Sequence, residues 1–555
     1  MKRPMAIGID DFKKVRERYY FVDKTFFLKA LIDAHSEVTL CTRPRRFGKT
    51  LTLSMVKYFF DCQNAKENRK LFEGLEIAQA GDTYMAEQGK YPVVFLTLKD
   101  CKYDNWEIGY RGLKAKIEEI YDSFGYLSNS EQLTAREQKN FCEIIEGTAS
   151  AEMYTKSLYL LTDALYRHHG VKPILLIDEY DVPIQYGFEY GYYDKIINFM
   201  KVWLDGGLKG NTSLEFAILT GVLRVAKESI FSDLNNLEVN SIVRGDYQNV
   251  FGFTQTEVEQ IAKDYEVEDK IAEIKEWYDG YHFGKAEIYN PWSVINYFRY
   301  DCEAANYWLN TSGNKIIRDL LDIATIEMRA ELTDLFKGKL LETTINEGLV
   351  YDEVYKRKDA LYTMLLTTGY LTIIKEDTID GNKVYQLDIP NLEIRQVYRS
   401  KIMDYLADEM AIEDSIFMMR DLIRGDSENF ARRMNQMLIK MMSYYDAKKQ
   451  DKEGFYHGLM LGLTAILGNS YRIKSNRESG YGRFDLAIFP KDKTKTGVIM
   501  EFKTAETEAK LEETAQQALM QIETKEYAAE FDEEKVAVQK YGIAFCGKKV
   551  KLLAK

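Results

Sequence analysis

The chain has 555 residues, of which 46% are hydrophobic and 29% charged, and its net charge is −12. This is the composition of a globular protein with roughly two to four domains. No apolar run of about eighteen residues is present, which argues against a membrane-spanning helix, and the first residues lack the apolar segment of a signal peptide.

The net charge and the cysteines further limit the class of protein. An acidic total argues against coating of nucleic acid by bulk charge, but it leaves room for a local basic groove. The six cysteines are scattered and form no C-x-x-C pair. This spacing predicts reduced thiols in a cytoplasmic protein rather than a zinc site or a disulfide framework.

Apolar segments alternate with long helical patterns over the first 250 residues. Helical spacing predicts a helix over Phe21–Ala34, with Asp23 as the candidate N-cap. Apolar strands separated by helices predict a parallel sheet covered on both faces. The segments with the composition of buried strands are EVTLCT (37–42), KYPVVFLTLKD (90–100), KPILLIDEYDVPI (172–184), the first part of SLEFAILTGVLRVAKESIF (213–231) and LEVNSIV (237–243).

The segment after the first predicted strand ends like a phosphate-binding loop. Gly48, Lys49 and Thr50 open an amphipathic helix, but the pattern G-x-x-x-x-G-K-[ST] requires glycine where this chain has Arg43. In such a loop Lys49 reaches the β- and γ-phosphates of a nucleotide and Thr50 holds Mg²⁺. Pro44 fixes its own φ and favours an extended Arg43, so the turn can start without glycine. The alternative is a helix N-terminus that contains GKT by chance.

The third apolar segment ends in two carboxylates, Asp178 and Glu179. At the carboxyl end of a parallel strand they would lie in the ligand crevice. There Asp178 could hold Mg²⁺ through its water shell, and Glu179 could orient or deprotonate the attacking water. Thr220 ends the next strand, where a polar residue would sense the γ-phosphate, and Arg224 is either a further phosphate contact or an ordinary arginine at the core edge. With GKT, these residues predict a Mg·ATP site; the alternative is an acidic turn after a buried strand.

The middle of the chain is less specific. The stretch Ile274–Phe298 is dense in aromatic residues, which can stack on bases but more often form core; we expect a helical lid over the nucleotide. Asp359–Asn391 predicts a helix followed by a hairpin that turns at Asp380-Gly381. That is the outline of a winged helix, which either binds DNA or serves as a packing module.

The C-terminal part has a second set of polar residues. Asp485 starts an apolar strand, and Glu501 and Lys503 lie on the next strand, on one face with Phe502 opposite. The two carboxylates could hold Mg²⁺, while Lys503 positions or activates water and stabilises the charge on the reacting phosphate. Glu453, on a preceding amphipathic helix, is a candidate additional metal ligand.

Residues around this set could support nucleic-acid binding. Gln517 and Gln521 lie one helical turn apart, on one face of a predicted helix. An E-x-K triplet alone is common on solvent-exposed strands. Its position after a helix that carries a glutamate and before a helix that carries two glutamines is less common. The basic residues that could hold a nucleic-acid backbone are Arg472, Lys474, Arg477 and Arg483.

Long segments of the sequence resemble the bacterial AAA-ATPase-like proteins, and the resemblance covers nearly the whole chain. In that family the loop is of the R-P-R-R-F-G-K-[ST] type, so Arg43 is in pattern and Arg46 and Phe47 become candidate nucleotide-binding residues. A PD-(D/E)XK nuclease-like domain follows, with the glutamine helix lining its active site. The resemblance implies no known substrate. The segments are YYFVDKT, CTRPRRFGKTLTL, ILLIDEYD, TGVLRVAKESIFSDLNN, FGFTQTEV and WYDGYHFG…IYNPWSVINYF.

The resemblance and the motifs together predict an α/β protein with an ASCE-type P-loop parallel sheet and helical lid, followed by a PD-(D/E)XK nuclease-like α/β domain. We expect a P-loop domain over 1–250, a helical lid and winged-helix region over 251–420, and the nuclease-like domain over 421–555. The predicted metal ligands are Thr50, Asp178, Asp485, Glu501 and Glu453.

The predicted function is an ATP-binding protein, an ATPase, that is coupled to Mg²⁺-dependent cleavage of DNA or RNA. The alternative is a nucleotide-dependent signalling switch whose C-terminal domain binds a partner and does not cut. The nucleic-acid substrate, the cellular trigger and the choice between monomer and oligomer cannot be derived from the sequence.

Overall fold

The computed structural model describes residues 2–224, 234–308, 339–348, 351–354, 356–398, 412–442, 470–479, 482–555 and the positions 231, 328, 331, 335, 456, 459, 460, 463, 464 and 467. The chain divides into two compact units: Met1–Thr311 with Leu340–Arg395, and Ser312–Lys339 with Gln396–Lys555. Within the described part of the chain, every helix is too short or too polar to cross a membrane. The six cysteines are free thiols.

The first unit is built on a five-stranded parallel sheet with the order β2-β3-β4-β1-β5. Every residue of β1 and of β3 is buried, as expected of strands covered on both faces. The five predicted strands are confirmed, each shorter than its apolar segment. The strands are β1 Val38–Thr42, β2 Val93–Thr97, β3 Ile174–Asp178, β4 Phe216–Gly221 and β5 Leu237–Asn240.

The strand order explains how the predicted polar residues meet. β4 lies between β1 and β3, so Thr220 is placed between the GKT loop that follows β1 and the carboxylate of Asp178 that ends β3. Insertion of a strand at this position is the ASCE arrangement, and the predicted fold class is confirmed.

Helices connect these strands. The predicted helix at Phe21 begins only at Phe26, and the prediction of Asp23 as its N-cap is wrong, because Thr25 holds that position. The Asp23 carboxylate instead accepts the N–H and the hydroxyl of Thr25 in the preceding turn. The helices are α1 Phe12–Arg18, α2 Phe26–Ala34, α3 Lys49–Phe60, α4 Ala65–Arg69, α5 Glu76–Gln79, α6 Asp82–Met85, α7 Trp106–Ser123, α8 Ala135–Ile145, α9 Ala151–Thr155, α10 Ser157–His169, α11 Val182–Glu189 and α12 Tyr193–Leu208.

The aromatic stretch forms a small helical subdomain of the same unit. Tyr278, Tyr289 and Tyr297 are buried together in one apolar cluster, which confirms the interpretation of the aromatic residues as core. The elements are α13 Gln255–Asp264, α14 Ile271–Tyr278, β6 Tyr281–Phe283, β7 Ala286–Ile288 and α15 Pro291–Arg299.

A three-stranded antiparallel sheet with the order β8-β10-β9 completes the unit. The predicted hairpin is confirmed, with positive φ at Asp380 and Gly381. The helix before it is buried from Ala360 to Leu366, which favours the alternative of a packing module. The elements are β8 Leu341–Thr343, α16 Tyr351–Val354, α17 Lys358–Thr368, β9 Thr372–Ile379 and β10 Asn382–Asp388.

The second unit has a five-stranded mixed sheet in sequence order, in which β13 and β14 pair in parallel and the other described pairs are antiparallel. Leu486, Met500 and Phe502 pack with α18 and α19 on one face, and Phe484 and Ile499 pack with α20 and α21 on the other. The elements are α18 Ile412–Arg424, α19 Ser427–Met442, β11 Tyr471–Ser479, β12 Gly482–Pro490, β13 Gly497–Thr504, α20 Leu511–Thr524, α21 Ala529–Glu534, β14 Val538–Cys546 and β15 Lys549–Ala554.

Candidate functional sites

The loop between β1 and α3 has the conformation of a phosphate-binding loop. Gly48, the N-cap of α3, has a φ of 84°, and Arg46 also lies in the left-handed region. The buried ammonium of Lys49 donates to the carbonyl oxygens of Arg43 and Pro44, at 3.0 Å each. Lys49 is thus folded back on its own loop, within reach of any anion that the loop holds.

Asp178 is the centre of the site. Its Oδ2 accepts hydrogen bonds from the hydroxyls of Thr50 at 2.8 Å and Thr97 at 3.3 Å, and its Oδ1 accepts one from Thr220 at 2.7 Å. Burial raises the pKa of Asp178, and the hydrogen bond from Thr220 opposes the shift. Thr50 and Thr220, which were predicted from separate segments, therefore meet at the predicted carboxylate of Asp178, whereas Thr97 was not predicted. The hydroxyl and carboxylate oxygens of Thr50 and Asp178 are hard ligands that suit Mg²⁺.

Arg43, in the place of the first glycine, points away from the loop into the protein. Its Nη1 donates to the carbonyl oxygens of Thr42 and Asn240, both at 2.8 Å. The guanidinium lies 5.3 Å from the ring of Phe251 and 5.1 Å from that of Phe283, and burial lowers its pKa to about 10. A fully buried side chain fixes the start of the loop against β5 and leaves phosphate contacts to the backbone.

Arg46 and Phe47, both predicted to bind nucleotide, pack on the aromatic subdomain. The guanidinium of Arg46 lies 4.0 Å from the ring of Trp292. The buried ring of Phe47 lies 5.0 Å from Tyr281 and 5.3 Å from Phe283. The ring of Phe47 is therefore a packing element, and any nucleotide contact would come from its backbone.

Glu179 and Arg224 follow the carboxyl ends of two neighbouring strands of the sheet. Glu179 follows β3 with a φ of 52°, a left-handed conformation that is unfavourable for a residue with a Cβ and that often marks functional sites. Arg224 follows β4 by three residues, and its Nε is buried without a hydrogen bond to any described residue.

The second site lies on β12 and β13. Asp485 comes one residue before Leu486, the first residue of β12 that pairs with β13, and so lies next to Glu501 on β13. Its Oδ2 accepts the N–H of Phe502 at 2.7 Å, so the carboxylate replaces a ladder bond where the two strands separate. Glu501 is buried and Lys503 is half-buried, and both lie on the face opposite Phe502. The structure thus brings together the three residues that the sequence predicts as a nuclease set.

Helix α20 approaches this set with one of its two glutamines. Gln521 donates its amide to Glu501 and lies 3.3 Å from the hydroxyl of Tyr527, whereas Gln517 is exposed. Burial raises the pKa of Tyr527, and the charges of Glu501 and Asp485 act in the same direction. Tyr527 was not predicted as a site residue from the sequence. Its position six residues after Gln521 is the sequence feature that could have indicated it.

The donor set at this second site fits Mg²⁺, which is usually held by one or two carboxylates together with water and phosphate oxygens. No group of three or more His, Cys, Asp or Glu side chains that could hold a metal occurs among the described residues. Glu453, the predicted additional ligand, lies outside them.

Two of the four basic residues near this site are already ion-paired with α21. Arg472 lies 2.6 Å from Glu534, and Lys474 contacts Glu530. A nucleic-acid backbone would have to compete with these carboxylates for both cations. The basic side chains outside the described part of the chain are those of Arg477 and Arg483.

Comparisons with known proteins match each unit to a different family model. Residues 6–231 match the model described as "Predicted AAA-ATPase", and residues 451–555 match that of the PD-(D/E)XK nuclease superfamily. The resemblance is thereby confirmed. An "Uncharacterized protein in vnfD 5′region" of Azotobacter chroococcum mcd 1 is 26% identical over 559 residues, which cover 98% of this chain and 96% of that protein.

Proposed function

We propose that this protein is a cytoplasmic ATPase whose C-terminal domain is a Mg²⁺-dependent nuclease, and that nucleotide controls cleavage of DNA or RNA. For the ATPase, the observation that carries the proposal is the convergence of Thr50 and Thr220 on Asp178. Hydroxyls from the loop and from the neighbouring strand meet a carboxylate at the carboxyl ends of the parallel strands, where ligands bind in such folds.

The chemistry follows from these contacts. Lys49 would exchange the carbonyls of Arg43 and Pro44 for phosphate oxygens, which are stronger acceptors because they are charged. Thr50 and Asp178 would hold Mg²⁺, which supplies positive charge next to the phosphates when bound. Glu179 would then orient the water that attacks the γ-phosphate.

Calorimetry and phosphate release test the ATPase. Lys49→Ala should abolish Mg·ATP binding, because the loop loses its buried cation. Glu179→Gln should keep affinity within about threefold and slow hydrolysis at least about 100-fold, as expected when a water-orienting carboxylate is lost. Lys57→Ala, in the last turn of α3, is the matched control and should behave like the parent. Unchanged ATP affinity in Lys49→Ala would refute the site.

For the nuclease, the supporting observation is that Asp485, Glu501 and Lys503 share one face of the sheet. The carboxylates would hold Mg²⁺, which stabilises the charge that develops on phosphate. The ammonium of Lys503 would orient water and stabilise the same charge.

The nuclease test needs variants that keep the local hydrogen bonds. Asp485→Asn retains an acceptor for the N–H of Phe502, and Glu501→Gln retains an oxygen for Gln521, whereas alanine at either position would disturb the fold as well. Both variants should lose cleavage of a mixed DNA and RNA panel. Lys503→Ala should bind metal normally and cut more slowly. Asp492→Asn, an exposed carboxylate of the same unit, is the control.

One observation favours the alternative of a non-cutting switch. The carboxylates of Asp485 and Glu501 already accept hydrogen bonds within the fold, so they also have a structural role. If no nucleic acid is cut with any metal or nucleotide, and Asp485→Asn matches the parent, the switch is the better proposal. Cleavage that depends on ATP in the parent but not in Lys49→Ala would support nucleotide control.

A further inference from the structure

The acidic motif after β3 contains a second pair of residues, Tyr180 and Asp181, to which the ATPase chemistry assigns no role. Asp181 is 4% exposed, and its Oδ2 accepts the N–H groups of Val222 at 2.8 Å and of Leu223 at 3.0 Å. These two residues come directly after β4. The carboxylate therefore holds the start of the loop that leaves this strand.

Tyr180, the neighbour of Asp181, holds the same loop. Its hydroxyl donates to the carbonyl of Leu223 at 2.7 Å, and its N–H donates to the carbonyl of Thr220 at 3.1 Å. The ring is fully buried. Both ends of the segment Thr220–Leu223 are thus hydrogen-bonded to the motif that carries the candidate catalytic carboxylates.

Gly221 shows how closely the two segments approach. A Cβ on this glycine would lie 2.7 Å from Oδ1 of Asp181 and 2.8 Å from a ring carbon of Tyr180. The carbonyl of Gly221 also accepts the N–H of Arg43, the first residue of the phosphate loop, at 3.1 Å. Three segments that border the nucleotide crevice therefore converge on one residue without a side chain.

The chemistry of Asp181 argues against a purely stabilising role. Its Oδ1 is buried and makes no hydrogen bond to any described residue. A buried carboxylate with an unsatisfied oxygen costs stability relative to an apolar or neutral replacement. Its use at this position is explained if the two N–H groups that it holds must be held for activity.

We propose that Tyr180 and Asp181 are positioning residues for ATP hydrolysis. They fix the segment after β4. This keeps the hydroxyl of Thr220 on Asp178 and positions Arg224 beside the γ-phosphate of bound ATP. The inference deepens the proposed ATPase function and rests on it. Neither residue is assigned a contact with the nucleotide, and each acts through the segment that it holds.

The test compares Mg·ATP affinity with turnover in the full-length protein. Asp181→Leu removes the acceptor and should lower kcat at least about tenfold, because misplacement of catalytic groups slows the reaction, while the Kd stays within about threefold. Asp181→Asn keeps an oxygen for the two N–H groups, and its kcat should lie within about threefold of that of the parent. Tyr180→Phe, which loses only the hydroxyl, should lower kcat without changing Kd.

A matched control separates positioning from loss of stability. Asp421→Leu removes a buried carboxylate that is paired with Arg433 in the second unit, and it should lower the melting temperature without the selective loss of kcat. Equal losses in Kd and kcat for Asp181→Leu would overturn the proposal, and so would an Asn variant as slow as the Leu variant.

A second readout does not depend on hydrolysis. Amide hydrogen exchange at Val222 and Leu223 should be faster in Asp181→Leu than in the parent or in Asp181→Asn, because only leucine leaves these N–H groups without an acceptor. Unchanged exchange in Asp181→Leu would refute the positioning role. A parent protein that binds no ATP, or binds it without turnover, would instead count against the proposed ATPase.

Discussion

Glu393 is a buried carboxylate in the first unit, far in sequence from the groups that it bonds. Its Oε2 accepts the hydroxyl of Ser293 at 2.7 Å, and its Oε1 accepts the N–H of Trp308 at 2.8 Å. Burial raises the pKa of Glu393 to about 7, from an ordinary value of 4.5. The folded protein therefore binds this proton more tightly than the unfolded chain, and the free energy of unfolding depends on pH.

We expect the first unit to lose stability between pH 5 and pH 8, by on the order of 3 kcal/mol from this group. The contribution of protonated Glu393 is fully present below the unfolded pKa and is lost as the pH rises through about 7. Asp61 and Asp279, whose pKa values are raised to about 6, titrate in the same range. Thermal melts of the parent protein at pH 5 and pH 8 should therefore be compared with those of Glu393→Gln. An equal pH effect in both proteins would contradict the assignment.

At the same scale, some site residues could be predicted from sequence and others could not. Lys49 and Asp178 could, because each is tied to a strand end by local sequence spacing. The buried position of Arg43 could not, because its carbonyl partner at Asn240 is 197 residues away. The contact of Tyr180 with Leu223, 43 residues apart, likewise depends on strand order. Sequence spacing reveals local motifs, and packing between distant strands decides the rest.

The phosphate loop and the aromatic subdomain form one packed element. Arg46 stacks on Trp292, Phe47 packs on Tyr281, and a Cβ on Gly252 would lie 3.1 Å from the ring of Phe47. A cation over an aromatic ring is worth about 0.5–2 kcal/mol, less than a charge-assisted hydrogen bond to phosphate in a desolvated site. A bound nucleotide should therefore draw Arg46 away from the indole.

This competition predicts a fluorescence signal from Trp292 on ATP binding. The parent protein should change its tryptophan emission with Mg·ATP, and Trp292→Phe should not, because the reporting indole is gone. Arg46→Ala should bind ATP with little or no change in emission. Trp106→Phe, which alters a ring stacked on Tyr110 in α7, is the control and should keep the signal. A full signal in Trp292→Phe would place the conformational change elsewhere.

The positions of the strands along the sequence could be predicted, whereas their order in the sheet could not. Short apolar segments between helices identified all five strands of the first sheet, and alternation along β13 placed Glu501 opposite Phe502. The order β2-β3-β4-β1-β5 depends on which helices pack on which face, and a single sequence does not show this. The resemblance, rather than the pattern, indicated the ASCE order.

At the scale of the whole molecule, the second unit has a core that extends beyond the nuclease family match at 451–555. Tyr541 donates its hydroxyl to the carbonyl of Leu422 at 2.7 Å, and the Asn435 side chain accepts the N–H of Val550 at 2.7 Å. The buried residues that α18 and α19 contribute to this core are Met418, Met419, Leu422, Phe430, Met434, Met437 and Leu438.

Because the residues of this core lie within 418–552, a fragment of residues 396–555 should fold without Ser312–Lys339, the other segment of the unit, whereas a fragment of residues 451–555 should not fold. Each large apolar side chain contributes about 1.5–3 kcal/mol on burial. The buried side chains of both helices together contribute about 10–20 kcal/mol, which is as large as the roughly 5–15 kcal/mol by which a domain is stable. Circular dichroism melts should show a cooperative transition only for the longer fragment. Within it, Leu422→Asp at a buried position should abolish the transition, whereas Ile416→Asp, at a position 45% exposed on the same helix, should preserve it. A cooperative melt of 451–555 at the temperature of the longer fragment would show that the sheet is stable without α18 and α19.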